Sequence, residues 1–155
     1  MKRNALLLLI PAGMLLVVAC GTSASSAPQA TAATVPTPSS AAGNGTEVDV
    51  TLADNTINST LTTFKAGVPY TFVITNHGNH LHNFNIAPPA SVSGSLDSSL
   101  AQALLVVTQD KLPIGGGTTV TYTFPASAVG MQLEFSCLIP RHYEDGMRLA
   151  ITVTN

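Results

Sequence analysis

Phe135-Ser136-Cys137-Leu138-Ile139-Pro140-Arg141-His142-Tyr143-Glu144-Asp145-Gly146-Met147 sets a Cys, a His and a Met at five-residue steps. Upstream, Met131, Leu133 and Phe135 alternate with Gln132, Glu134 and Ser136. This is the period-two pattern of a strand with one buried face, and Cys137 is in phase with the apolar set. Downstream, Met147, Leu149, Ile151 and Val153 alternate with Arg148, Ala150, Thr152 and Thr154, so Met147 opens a second apolar face. The two runs predict antiparallel strands joined by a loop from Leu138 to Gly146. A sulfur then stands at each strand end, with His142 in mid-loop, able to fold back between them.

A thiolate, an imidazole and a thioether are donors suited to copper. The arrangement known for such donors is two His and one Cys in a trigonal plane with a weak axial Met. The second imidazole is available in Asn79-His80-Leu81-His82-Asn83-Phe84-Asn85-Ile86, where His82 shares the parity of Phe84 and Ile86. His80 has the same parity and is the alternative ligand, although it lies nearer the preceding turn. His77 reads as a solvated turn residue, and Glu144 and Asp145 as a solvated loop tip.

At the other end of the chain, Lys2 and Arg3 precede an apolar run from Ala5 to Ala19 broken by Pro11 and Gly13. A charged start followed by such a run predicts a secretory signal over residues 1–19. The run is too short and too broken for a membrane span of about 20 residues. It ends in Val17-Val18-Ala19-Cys20-Gly21, which resembles the bacterial lipobox. That resemblance implies that Cys20 is acylated and becomes the mature N-terminus, anchoring the chain to a membrane. Ordinary signal cleavage is the alternative. Residues 20–45 are then Cys20 and an uncharged stretch of Ala, Ser, Thr, Pro and Gly. Such a stretch cannot bury enough surface to fold and predicts a tether with a mean reach of about 25–30 Å.

Removing Lys2 and Arg3 from the six basic residues leaves four against eight acidic ones, a formal charge of −4. There is no Lys/Arg run, which argues against a nucleic-acid partner. With Cys20 lipidated, Cys137 is the only remaining cysteine and has no disulfide partner within the chain. An unpaired thiol in an oxidising compartment is a second, independent pointer to a metal ligand.

Residues 46–155 read as one all-β domain. Val48, Val50 and Leu52 alternate with polar residues, and Asp54-Asn55 reads as a turn. Ile57 to Phe64 is a weaker, Thr-rich strand. Tyr70, Phe72 and Ile74 alternate with Thr71, Val73 and Thr75 up to the turn residues Asn76 to Asn79. His82 to Ala87 is the next strand, stopped by Pro88-Pro89. Leu96, Leu100, Ala103, Leu104 and Val107 fall at helical spacing and predict one short helix over Ser95 to Val107. After Gly115-Gly116-Gly117, Val120, Tyr122 and Phe124 alternate with Thr119, Thr121 and Thr123. Short strands separated by turns predict a sandwich or barrel, and about 110 residues suffice for one such core.

Together these features resemble the cupredoxins, the small blue copper proteins that include plastocyanin, azurin and auracyanin. The resemblance spans Thr46 to Asn155. It rests on Ala66-Gly67 before a strand, Asn76 ending it, His82-Asn83-Phe84 opening the next, and Cys137-x₄-His142-x₄-Met147, whose spacing is most like that of auracyanin. The resemblance implies an eight-strand Greek-key β-sandwich with copper at one end. It implies His82, Cys137, His142 and axial Met147 as ligands, and Asn83 as the residue that hydrogen-bonds the ligand loop. Family loops often read Pro-Gly-His, whereas this chain has Pro140-Arg141-His142, which puts bulk and charge beside the histidine.

The expected function is single-electron transfer rather than enzymatic turnover, because the four donors leave no open position for substrate. Ile139, Pro140 and Arg141 around His142 are the candidate docking residues. Membrane-bound protein donors and acceptors are the expected partners of a monomer on the outer face of a bacterial membrane. Rival chemistries lack residues. A multicopper oxidase needs several His-x-His pairs and a His-Cys-His, a dinuclear copper site needs a second thiolate, and a Cys137–His142 hydrolase lacks a third partner. Structural zinc rarely uses Met. A copper chaperone or storage protein is the remaining alternative.

Overall fold

The computed structural model describes residues 45–155. The expected signal sequence, the lipidation site Cys20 and the tether up to Asn44 lie outside the described residues. In chain order the elements are β1 (Thr46–Ala53), β2 (Thr56–Ser59), β3 (Thr63–Lys65), β4 (Pro69–Asn76), β5 (Phe84–Ala87), α1 (Ala90–Ser93), α2 (Leu96–Ala101), β6 (Leu105–Val107), β7 (Gly117–Thr123), β8 (Leu133–Ser136) and β9 (Arg148–Thr154). They form a four-stranded sheet ordered β2-β1-β4-β7 and a five-stranded sheet ordered β3-β9-β8-β5-β6. Strands β1 and β4, and β3 and β9, run parallel, while the other pairs are antiparallel.

Alternation decides which side chains meet between the sheets. In β4, Tyr70, Phe72, Ile74 and Asn76 are buried while the intervening residues are half-exposed, and β1 turns Val48, Val50 and Leu52 inward. From the second sheet, Phe64, Phe84, Ile86, Leu133, Phe135, Ile151 and Val153 complete the core. Phe64 is its hub, with ring centroids 5.0 Å from Tyr70, 5.7 Å from Phe72, 4.9 Å from Phe124 and 5.7 Å from Phe135.

Three expectations need correction. The Ile57–Phe64 run is two strands in different sheets, not one. Between them the Ser59 hydroxyl donates to the Leu61 carbonyl at 2.7 Å and accepts the Leu61 N–H at 3.3 Å, a local side-chain turn that competes with strand pairing. The single helix expected over Ser95 to Val107 is shorter and is joined by a second. α2 starts at the Ser95 cap, whose hydroxyl accepts the Ser98 N–H at 3.0 Å, and ends at Ala101. The apolar residues Leu105-Val106-Val107 instead form β6 on the edge of β5, where β-branched side chains are favoured. Lastly, β8 is buried on both faces, Glu134 and Ser136 included. Its outer face is not open, because Leu138 and Tyr143 cluster there with Ala87, Ala90, Leu96 and Ala103. The strand starts at Leu133, leaving Met131 39% exposed. No helix among the described residues is long and apolar enough to cross a membrane.

Candidate metal centre

The ends of β1, β4 and β8 and the beginnings of β5 and β9 gather at one pole of the sandwich. Register brings them there: Leu52 pairs with Asn76, Asn85 with Ser136, and Ser136 with Arg148. The connection from Cys137 to Met147 closes on itself. The Cys137 N–H donates to the Met147 carbonyl at 3.1 Å and the Met147 N–H to the His142 carbonyl at 2.9 Å. Those two bonds fix both sulfur-bearing residues and the histidine relative to each other. Gly146 carries a φ of 108° just before Met147, a conformation that only glycine adopts without strain.

Arg141, at the position where the resembling loops often carry Gly, has φ 75°. The left-handed region costs a non-glycine residue roughly 1–2 kcal/mol. The Glu144 carboxylate accepts the Arg141 N–H and holds that turn. Glu144 is thus a cap for the loop rather than a free tip.

The imidazole Nδ1 atoms of His82 and His142 lie 3.1 Å apart, and the Cys137 Sγ is 3.9 Å from the first and 3.6 Å from the second. One donor atom from each residue falls within a 4.8 Å group. A first-row metal about 2.0 Å from each nitrogen and about 2.3 Å from sulfur, in a trigonal plane, sets its donors about 3.5–3.7 Å apart. The cluster fits such an ion with small adjustments. Cys137 and Met147 are fully buried and His82 is 1% exposed, whereas His142 is half-exposed. His80 stands outside the donor group, its ring turned to Asp54 at 3.1 Å and its side chain 66% exposed. His77 is exposed.

Burial pushes the His82 pKa down, with the neighbouring His142 adding to the effect. The ring is therefore neutral with a lone pair to offer. Burial pushes the Cys137 thiol up, and the backbone N–H groups of Ile139 and Asn83 partly offset this. A bound cation would reverse the balance, since a coordinating thiol is deprotonated outright.

Asn83 accepts the Leu138 N–H at 2.8 Å, tying the segment before β5 to the loop after β8. Three further polar residues shape the site. Asn85, fully buried, donates to Asn83 at 2.9 Å and to the Ser136 carbonyl at 3.1 Å. Asn76 donates to the carbonyls of His80 at 2.9 Å and Leu112 at 3.1 Å and accepts the Gly78 N–H at 2.9 Å. Beyond ending the strand, it shapes the whole 77–80 turn. Asp54, read only as a turn residue, accepts from His80 and Asn79, which hold its carboxyl well below the usual carboxylate range.

Beside the site, burial raises the Glu134 carboxyl above its ordinary 4.5, with the Tyr143 hydroxyl and the Arg148 charge opposing. The native state then holds this proton more tightly than the unfolded chain, so this group's contribution to stability falls as pH rises above about 4.5. Glu134→Gln removes the dependence. Urea unfolding of the metal-free protein at pH 4.5 and pH 8 is expected to show Glu134→Gln gaining stability relative to the parent only at the higher pH. Equal differences at both values would refute this.

No protein-family model matches the chain, and no curated protein sequence matches it. Solved structures do. Dithionite-reduced auracyanin from the photosynthetic bacterium Roseiflexus castenholzii is similar at TM-score 0.54 and 22% identity, over 73% of this chain and 100% of that one. Auracyanin B is similar at TM-score 0.51 and 20% identity, over 71% of this chain and 89% of that one. The fold is that of the cupredoxins. In this domain the donor group, the Asn83 tie and the buried Met147 all lie at the pole where the strand ends collect.

Proposed function

We propose that the domain would hold one copper ion through His82, Cys137 and His142, with Met147 as the weak fourth donor, and that it carries single electrons between protein partners. One observation carries the reading: two imidazoles and a thiolate precursor within 4.8 Å of one another, with the thioether residue buried and backbone-bonded to two of them. Bound copper would supply a one-electron couple between its singly and doubly charged forms. The chain supplies rigidity. Cys137, Met147 and Asn83 are each hydrogen-bonded into the loop framework, so the donors move little when the charge changes. Burial of Cys137 and His82 keeps water from the site. His142 alone brings a ring edge to the surface, between half-exposed Ile139 and exposed Pro140 and Arg141. Those three residues form the docking rim, and Arg141 favours a partner with acidic groups at the contact. Electron-transfer contacts are small and weak, which suits a chain held near its partners. A lipid on Cys20 and the 20–45 tether would provide that proximity at the outer face of a bacterial membrane.

Two measurements test this. In a redox titration of the copper-loaded protein, colour is expected to bleach on one-electron reduction and return on reoxidation without metal loss. Release of copper to a chelator on each reduction would instead mark a delivery or storage protein. Met147→Leu is expected to keep the colour and to raise the midpoint potential by about 60 mV or more, the equivalent of a tenfold shift in preference toward the singly charged ion. A colourless Met147→Leu protein with an intact fold would refute the axial assignment.

A further inference from the structure

The back of the His82 ring presents an unusual contact. Its Nε2 is buried without a hydrogen-bond partner at normal geometry, yet the Asp54 Oδ1 stands 3.4 Å away. Asp54 follows the end of β1 and comes from the opposite sheet to β5. Its carboxylate is aimed by the 77–80 turn: the Asn79 N–H donates to its two oxygens at 3.0 and 3.1 Å, the Asn79 side-chain amide donates at 3.1 Å, and the His80 Nδ1 lies at 3.1 Å.

Gly78 is the second observation. A Cβ there would stand 2.5 Å from the Asp54 Oδ1 and 2.6 Å from the His82 Nε2. Any other residue would drive a carbon between the two atoms, so the absence of a side chain at 78 keeps the line between them open.

From these contacts we infer that Asp54 is a positioning residue for His82, fixing the Nε2–H tautomer so that Nδ1 faces Cys137 and His142 as a free donor, and biasing the site toward the more highly charged metal ion. The physical argument is direct. A carboxylate oxygen and an imidazole lone pair 3.4 Å apart repel, whereas a proton on Nε2 turns the contact into attraction. A histidine whose outer N–H meets a carboxylate is held in orientation and becomes a more basic ligand. Greater basicity stabilises a doubly charged ion more than a singly charged one.

The inference rests on the copper reading for its second half only, so the test has two arms. In the metal-free full chain, ¹⁵N NMR of the His82 ring is expected to show Nε2 protonated. Asp54→Ala and Gly78→Ala are each expected to shift that ring's resonances toward a mixture of tautomers. In the copper-loaded protein, Asp54→Asn is expected to keep the colour but to weaken binding of Cu(II) relative to Cu(I) about tenfold, which raises the potential by about 59 mV. Gly78→Ala, which leaves the charge in place and blocks the contact, is expected to shift it in the same direction. A proton on Nδ1 of His82 in the metal-free parent overturns the inference whether or not the chain binds copper. An unchanged potential in Asp54→Asn or, should that variant not fold, in Gly78→Ala overturns the bias toward the charged ion. Failure of the parent to bind copper would defeat the copper reading while leaving the tautomer arm to decide the contact.

Discussion

Cys137→Ser is expected to give a folded protein with no intense red absorption and a copper affinity lowered by more than the 10–100-fold that loss of an outer-sphere partner costs. The thiolate is the one anionic donor of the proposed set, and a serine hydroxyl has neither its charge nor its polarisability. The fold should survive. Cys137 is fully buried, and the Ile139 and Asn83 N–H groups that reach its sulfur remain to meet a hydroxyl oxygen. The metal-free stability should fall by only about 1 kcal/mol, the scale of one buried hydrogen-bonding exchange. Titration with Cu(II) followed by visible spectroscopy, alongside urea unfolding, separates the two effects. A Cys137→Ser protein that still turns intensely coloured would remove Cys137 from the site.

Phe64→Ala is expected to cost about 3–5 kcal/mol, the range for truncating a large buried aromatic side chain. That is a large part of the 5–15 kcal/mol typical of a whole domain. β3 is only three residues long and reaches the sheet through parallel pairing of Thr63, Phe64 and Lys65 with β9. Its hold on the domain therefore depends on Phe64, whose ring meets four other aromatic rings. Truncation leaves a void between the sheets that Phe72 and Phe135 cannot both fill, because each is already fixed by Phe84. The denaturation midpoint of the metal-free protein should drop with little change in slope. A loss below about 1 kcal/mol would show that the core collapses around the gap.

The site was legible where its determinants are local. Cys137 and Met147 stand one residue beyond β8 and β9, in phase with alternating apolar runs that place them inward, and His142 lies on the loop between, so short-range spacing carries nearly everything. His82 was legible by parity with Phe84 and Ile86, and its burial beside the exposed His80 comes from the turn that Asn76 organises. What was not legible depends on segments far apart in the chain. No pattern in Asp54-Asn55 foretells that its carboxylate will meet a ring from the other sheet. The buried outer face of β8 follows from the helical connection packing over it, and Glu134 and Ser136 alone read as solvent-facing. The helix expectation overran because Val107 fits both a helical spacing with Leu104 and a strand's alternation with Leu105, and pairing of β6 with β5 decided between them.

The central claim is that His82, Cys137, His142 and Met147 form one copper site at the pole of the sandwich. The most direct measurement is a visible and electron paramagnetic resonance spectrum of the purified protein after addition of one equivalent of Cu(II). The account predicts an intense thiolate-to-copper band in the red that saturates at one copper per chain. A protein that stays colourless, or shows only the weak bands of copper bound by nitrogen and oxygen, would contradict it.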